Sequence, residues 1–182
     1  VMGEISSKGT VDIEALVRKT LRDIGYISPE KGIGADSCVV QLAVQKQSEE
    51  IANAVNPEAD PSLVGAGDQG MMVGFACKEK IGNELIETQL MPLSLYLSQK
   101  LTMQMAKVRK EGVIPYLRPD GKSQVTVEYN RNTPVCVTKV VIATQHDDMV
   151  DQYGTQTAEH AFIKKEVISR VIIPVLDQYG ID

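Results

Sequence analysis

Apolar residues recur at helical spacing early in the chain. Ile13, Leu16, Val17, Leu21 and Ile24 share a face, Thr10 or Asp12 stands where a cap belongs, and Gly25 follows the last apolar position. This predicts an amphipathic helix over residues 12–24. Val39, Val40, Leu42 and Val44 predict a short strand over residues 37–45, and Val1-Met2-Gly3-Glu4-Ile5 also has strand character. From Ser48 to Asp68 the pattern changes: five acidic residues, no basic ones, and prolines at 57 and 61 predict a long polar connection. A connection of that length is usually functional or mobile.

Residues 70–77 resume a strand-like run, interrupted by Gly74. Pro92 suits the first turn of a second helix, with Leu93, Leu97, Leu101, Met105 and Val108 on one face and Gly112 beyond its end. Val125, Val127 and Tyr129 alternate with polar residues, and residues 135–144 form another β-rich run after a short turn at 130–134, so the pair predicts a hairpin. A last helix is expected over residues 157–173, with Ala161, Ile168, Val171 and Ile172 toward a core and Pro174 stopping it. The elements together predict an α/β fold of the α+β type: mixed, open sheets with helices on one face, in two parts divided near residues 79–91.

Composition narrows the function classes. The 182 residues are 43% hydrophobic and 24% charged, in the range of globular chains and outside that of disordered ones. Aromatics are only 4% with no Trp, so the core must be aliphatic and a stacking platform for single-stranded nucleic acid is disfavoured. The net charge of −5 disfavours duplex nucleic acid and anionic membranes as partners. The charge is uneven: residues 1–91 hold 8 Lys and Arg against 14 Asp and Glu, residues 92–182 hold 11 against 10. Cys38, Cys77 and Cys136 stand alone without CxxC spacing, which reads as a reducing compartment and small buried hydrophobes, not a disulfide frame or zinc site. No apolar run approaches the ~20 residues of a membrane span. A soluble, cytoplasmic protein is expected, and both ends of the chain read as cuts through a larger one.

Two turns could carry chemistry. Gly65-Ala66-Gly67-Asp68-Gln69-Gly70 satisfies G-x-G-x-x-G, but that fingerprint must follow a buried strand and open a helix, whereas here an acidic loop precedes it and a strand-like stretch follows. A carboxylate at Asp68 would also repel a phosphate. The motif reads better as a tight turn offering Asp68 to a hydroxyl, an amine or a cation, or as a turn with no ligand. A nicotinamide oxidoreductase, the literal motif reading, requires a helix directly after Gly70. Pro119-Asp120-Gly121 is turn chemistry, either a plain connection or a platform projecting Lys122 and Arg118 toward a phosphate-bearing ligand. His146 and His160 lack a second histidine at ligand spacing, so no metal site is expected on them. No nucleophile elbow or triad is visible.

These residues carry a resemblance. Gly65-Ala66-Gly67-Asp68-Gln69-Gly70 followed by Met71-Met72-Val73-Gly74-Phe75-Ala76 resembles the signature hexapeptide and strand of S-adenosylmethionine synthetases. So do Gly3-Glu4-Ile5, Ile24-Gly25-Tyr26, Lys46-Gln47-Ser48, Leu117 to Thr126 and Thr144-Gln145-His146, all in family order. The resemblance implies a fold of three similar α/β domains, with residues 1–80 ending the N-terminal domain (mobile loop 47–68 and the hexapeptide included) and residues 92–182 forming most of the central one. It implies synthesis of S-adenosylmethionine from ATP and L-methionine, then hydrolysis of the triphosphate to phosphate and pyrophosphate. Magnesium and potassium are the implied ions, and a homodimer or dimer of dimers with sites between subunits is the implied assembly.

Residue by residue, the resemblance places Glu4 and Gln47 at the methionine site, Asp68 beside both nucleoside and methionine, and Asp120 and Lys122 on the nucleotide. Asp68 and Lys122 are the implied catalytic groups: a carboxylate favouring the developing sulfonium and a cation for the triphosphate. Gln47 begins the implied gate, where Ser48-Glu49-Glu50-Ile51 replaces the family's Ser-Pro-Asp-Ile. The family's His-Pro-Asp-Lys motif, its acidic potassium ligand and its glycine-rich lysine loop are absent from the chain, so metal ligands are expected outside it and the chain alone is expected not to turn over. A non-catalytic binding or scaffold module with the same fold is the alternative.

Overall fold

The computed structural model describes residues 1–55, 61–66, 69–81 and 84–181. The chain divides into two compact units, residues 1–74 and 75–182.

In the first unit, β1 (Met2–Glu4) pairs in parallel with β2 (Ala43–Gln45), with Met2 opposite Ala43 and Glu4 opposite Gln45. The crossover carries α1 (Ile13–Ile24). Asp12 caps it, its carboxylate accepting from the Ala15 amide at 2.9 Å, and Gly25 ends it at φ 116°, the left-handed conformation a side chain would resist. Arg18 ties α1 to the following loop by donating to the carbonyls of Ala35 (2.6 Å) and Cys38 (3.3 Å). The strand expected over 37–45 is reduced to its last three residues. The amides of Ser37 and Cys38 both turn back onto the Gly34 carbonyl, and β1 is too short to pair with more.

The acidic stretch expected to be a long polar connection contains α2 (Glu49–Val55) and a turn at Pro61–Leu63. Glu49 and Glu50 occupy its first turn, where negative charge meets the positive end of the helix dipole. Residues 70–77, expected as a strand, take part in no ladder among the described residues. Met71, Met72 and Val73 are each more than nine-tenths exposed. No helix follows Gly70 either, which removes the oxidoreductase reading.

The second unit holds the core. β3 (Glu79–Ile81) and β4 (Glu84–Ile86) form an antiparallel hairpin where a plain division was expected. The buried Glu79 carboxylate accepts from the Leu93 amide at 2.5 Å and so caps α3 (Leu93–Lys110), a job Pro92 leaves undone. α3 buries the five predicted residues of its apolar face plus Tyr96, and ends at Gly112 (φ 71°), with the Val113 amide reaching back to Val108.

The predicted hairpin is present and longer: β5 (Leu117–Asn130) and β6 (Thr133–His146), turning at Arg131–Asn132. Val125 is buried and Val127 half-buried, while Lys122, Gln124, Thr126 and Glu128 are exposed, so helices cover one face of the ribbon. α4 (Val150–Tyr153) and α5 (Gln156–Val167) follow, the latter capped by Thr155.

Pro174 does not stop the last helix. The chain widens into a π turn at Ile168–Ile172 and continues as α6 (Ile173–Gln178) with Pro174 in its first turn. Proline has no N–H for the Arg170 carbonyl, and Gln104 Nε2 from α3 donates to that oxygen at 3.1 Å instead. Ile163, Val167, Val171 and Val175 all remain buried through the widened turn. No described helix is long and apolar enough to cross a membrane.

Candidate functional site

Asp120 and Lys122 lie inside β5, not on a turn between elements. Leu117 pairs with His146 and Gly121 with Thr144, so Arg118, Pro119 and Asp120 stand opposite the single residue Gln145. This bulge leaves Asp120 exposed and off the ladder; Lys122, beyond Gly121, is back in register opposite Ala143 and is exposed as well. Gly121 seats the bulge on α3: a Cβ there would stand 3.1 Å from the methyl of Met105. Arg118, read from sequence as a possible second cation for a ligand, donates from Nε to Asp147 Oδ1 at 2.7 Å.

The end of β6 is built around buried polar groups. The Asp147 amide donates to the Tyr116 carbonyl at 2.8 Å. Glu159, 6% exposed, accepts from the Met149 amide at 2.7 Å and stands 3.8 Å from His146 Nδ1. The Tyr116 hydroxyl is buried with no hydrogen-bond partner among the described residues, and burial, with the Glu166 and Tyr153 charges beyond it, pushes that phenol up to about 12.

Glu4 and Gln47 belong to the first unit. Glu4 ends β1 opposite Gln45, the Ile5 amide bonds the Gln45 carbonyl at 2.9 Å, and Gln47 follows two residues beyond β2. Parallel pairing therefore brings both to the carboxyl end of one two-stranded sheet. Glu4 is exposed and Gln47 half-buried. Asp68 lies outside the described residues, as does Gly67. The Gly65 amide, at the start of the hexapeptide, donates to the Val55 carbonyl at 2.8 Å. Each unit thus gathers one pair of the expected site residues.

Chemically, the first unit offers a carboxylate and an amide suited to an amino acid's ammonium. The second offers a carboxylate and an ammonium suited to a ribose hydroxyl and a phosphate. Among the described residues no three His, Cys, Asp or Glu side chains converge on a metal-holding arrangement, so none is assigned to magnesium or potassium. The three cysteines are free; Cys38 and Cys77 are half-buried, and Cys136 is exposed, contrary to the expectation of buried thiols. Glu159, Glu79 and Asp147 went unmarked in the sequence because each works through a partner distant along the chain.

Two family models match. That for the S-adenosylmethionine synthetase N-terminal domain covers residues 1–49, and that for the central domain covers residues 63–181. Among curated proteins, the S-adenosylmethionine synthase of Thermus thermophilus is 44% identical over 183 residues, spanning 96% of this chain and 44% of its own length. That of Maridesulfovibrio salexigens is 45% identical over 168 residues (92% and 40%), and that of Crocosphaera subtropica 38% over 190 (100% and 44%). The chain therefore spans less than half the length of these relatives.

Proposed function

Since the chain belongs to the S-adenosylmethionine synthetase family, we propose that the protein it forms part of makes S-adenosylmethionine from ATP and L-methionine, then hydrolyses the triphosphate to phosphate and pyrophosphate. The observation that carries this reading is the ordered match of the two family models, which between them span both units of the chain.

In the proposed reaction the methionine sulfur attacks C5′ of ATP. A thioether is already a neutral, soft nucleophile, so the first step requires no general base. Glu4 and Gln47 hold the amino acid, Glu4 through a charge-assisted hydrogen bond to the ammonium. Asp120 engages the nucleoside and Lys122 the departing triphosphate, while Asp68 favours the positive charge that grows on sulfur. Orientation of the two substrates and stabilisation of the leaving group supply most of the acceleration. Magnesium and potassium, a homodimeric or dimer-of-dimers assembly and a cytoplasmic location belong to the same proposal, with the metal ligands elsewhere in the protein. The 182-residue chain by itself is then inactive.

The test is steady-state kinetics of the whole protein. Glu4→Gln removes the charge facing the ammonium and is expected to raise the methionine KM about tenfold, the scale of one charge-assisted contact, with the ATP KM little changed. Equal effects on the two substrates would remove Glu4 from the amino-acid site.

A further inference from the structure

We propose that the Arg118–Asp147 ion pair positions the Asp120–Lys122 segment, making both members positioning residues for the nucleotide side of the site; this rests on the reading of Asp120 and Lys122 as nucleotide contacts.

The bulge in β5 has ladder partners only at its two ends, at Leu117 and at Gly121. Between them Arg118, Pro119 and Asp120 have no ladder pair among the described residues, with Gln145 alone opposite them in the register, and Pro119 has no N–H to donate. Packing holds its far end, where Gly121 sits against Met105 of α3. Behind the segment lies a recess of about 100 Å³ lined by Thr102, Met105, Arg109, Pro119 and Gly121, into which an untied bulge can settle. Among the described residues, Arg118 Nε on Asp147 Oδ1 at 2.7 Å ties the first residue of the bulge across to the end of β6.

Asp147 is itself fixed. Its amide is held by the Tyr116 carbonyl at 2.8 Å, and two residues on the Met149 amide is held by the buried Glu159 carboxylate. The tie therefore runs from the rigid end of β6 to the first residue of the bulge, two positions from Asp120 and four from Lys122. A half-exposed pair of this kind adds little to overall stability, which points to geometry as what it contributes.

The experiment measures kinetics and thermal unfolding of the whole protein carrying Asp147→Ala, Asp147→Asn, Lys122→Ala, or Asp147→Ala with Lys122→Ala. Displacement by a fraction of an ångström to one ångström is expected to raise the ATP KM about ten- to a hundredfold in Asp147→Ala. The methionine KM should stay within about twofold and the Tm nearly unchanged. Asp147→Asn keeps an oxygen for Arg118 Nε and is expected to recover most of the loss. In the double variant the two effects are expected not to multiply, because both act through the same contact. Wild-type ATP kinetics in Asp147→Ala beside a damaged Lys122→Ala overturns the positioning role while leaving the nucleotide reading intact. Wild-type ATP kinetics in Lys122→Ala overturns the nucleotide reading and the positioning role with it. Equal loss for both substrates with a lowered Tm marks the pair as structural and also overturns the proposal.

Discussion

At the scale of single residues, Tyr116 is the clearest misfit between chemistry and surroundings. Its ring packs on Phe162, 5.9 Å between centroids, while its hydroxyl is buried without a partner among the described residues. An unpaired buried hydroxyl destabilises the fold it sits in. Tyr116→Phe is therefore expected to stabilise the protein at neutral pH by about 1 kcal/mol, read from the midpoint of urea unfolding. The sign with pH follows from the same burial. The unfolded phenol ionises near 10, whereas the folded one holds its proton up to about 12. The unfolded state thus releases a proton first, and stability falls as pH rises through that window. Tyr129 and Tyr179 are raised similarly, so Tyr116→Phe is expected to make the alkaline loss shallower without abolishing it. A destabilised Phe variant would mean that the hydroxyl has a partner. None of this was legible in the sequence, since burial of one atom is set by side chains far along the chain.

Whole elements were legible wherever period and punctuation agree. Asp12 and Gly25 bracket α1, the five-residue stripe and Gly112 define α3, and alternation gave the β5–β6 hairpin. Local signals misled where a neighbour overrode them. Pro119-Asp120-Gly121 has the composition of a turn, yet β6 supplies ladder partners before and after it and stretches it into a bulged strand. Pro174 has the look of a stop, yet Gln104 satisfies the carbonyl that proline cannot reach. That substitution of a side-chain donor for a backbone one can be tested. Gln104→Ala is expected to lower stability by about 0.5–1 kcal/mol in chemical denaturation, and Gln104→Glu by more, because a carboxylate facing the Arg170 carbonyl has no proton to give. An unaltered midpoint in both would show that water serves the carbonyl equally well.

At the scale of the molecule the two units differ in kind. Apolar burial concentrates in residues 75–182, where α3, the β5–β6 ribbon and the last helices close one aliphatic core. In residues 1–74 the one fully buried hydrophobic residue among those described is Ala35, while Val11, Leu16, Ile27 and Leu63 stay more than half exposed. Local opening is easiest where few apolar contacts must be broken. Amide hydrogen exchange of this chain is therefore expected to show slow exchange in α3, β5, β6 and α5, and fast exchange in α1 and the β1–β2 pair. Comparable protection in both units would contradict that division. Composition foretold an aliphatic core, but not its uneven distribution, because exposed and buried aliphatics are spelled identically.

The widened turn after α5 has a consequence for the angular arithmetic of the last helix. Ile163, Val167, Val171 and Val175 are spaced by fours. An ordinary helix winds about 100° per residue, so each interval overshoots a full revolution by about 40°. Three intervals would carry Val175 about 120° round the axis and out into water. A stretch closed over five residues winds less per residue and cancels that drift, keeping the fourfold spacing aligned as a single seam. Deleting one residue there would let the helix close ordinarily, leaving Val175 eleven residues from Ile163 and only about 20° past three whole turns, so the seam would survive the deletion.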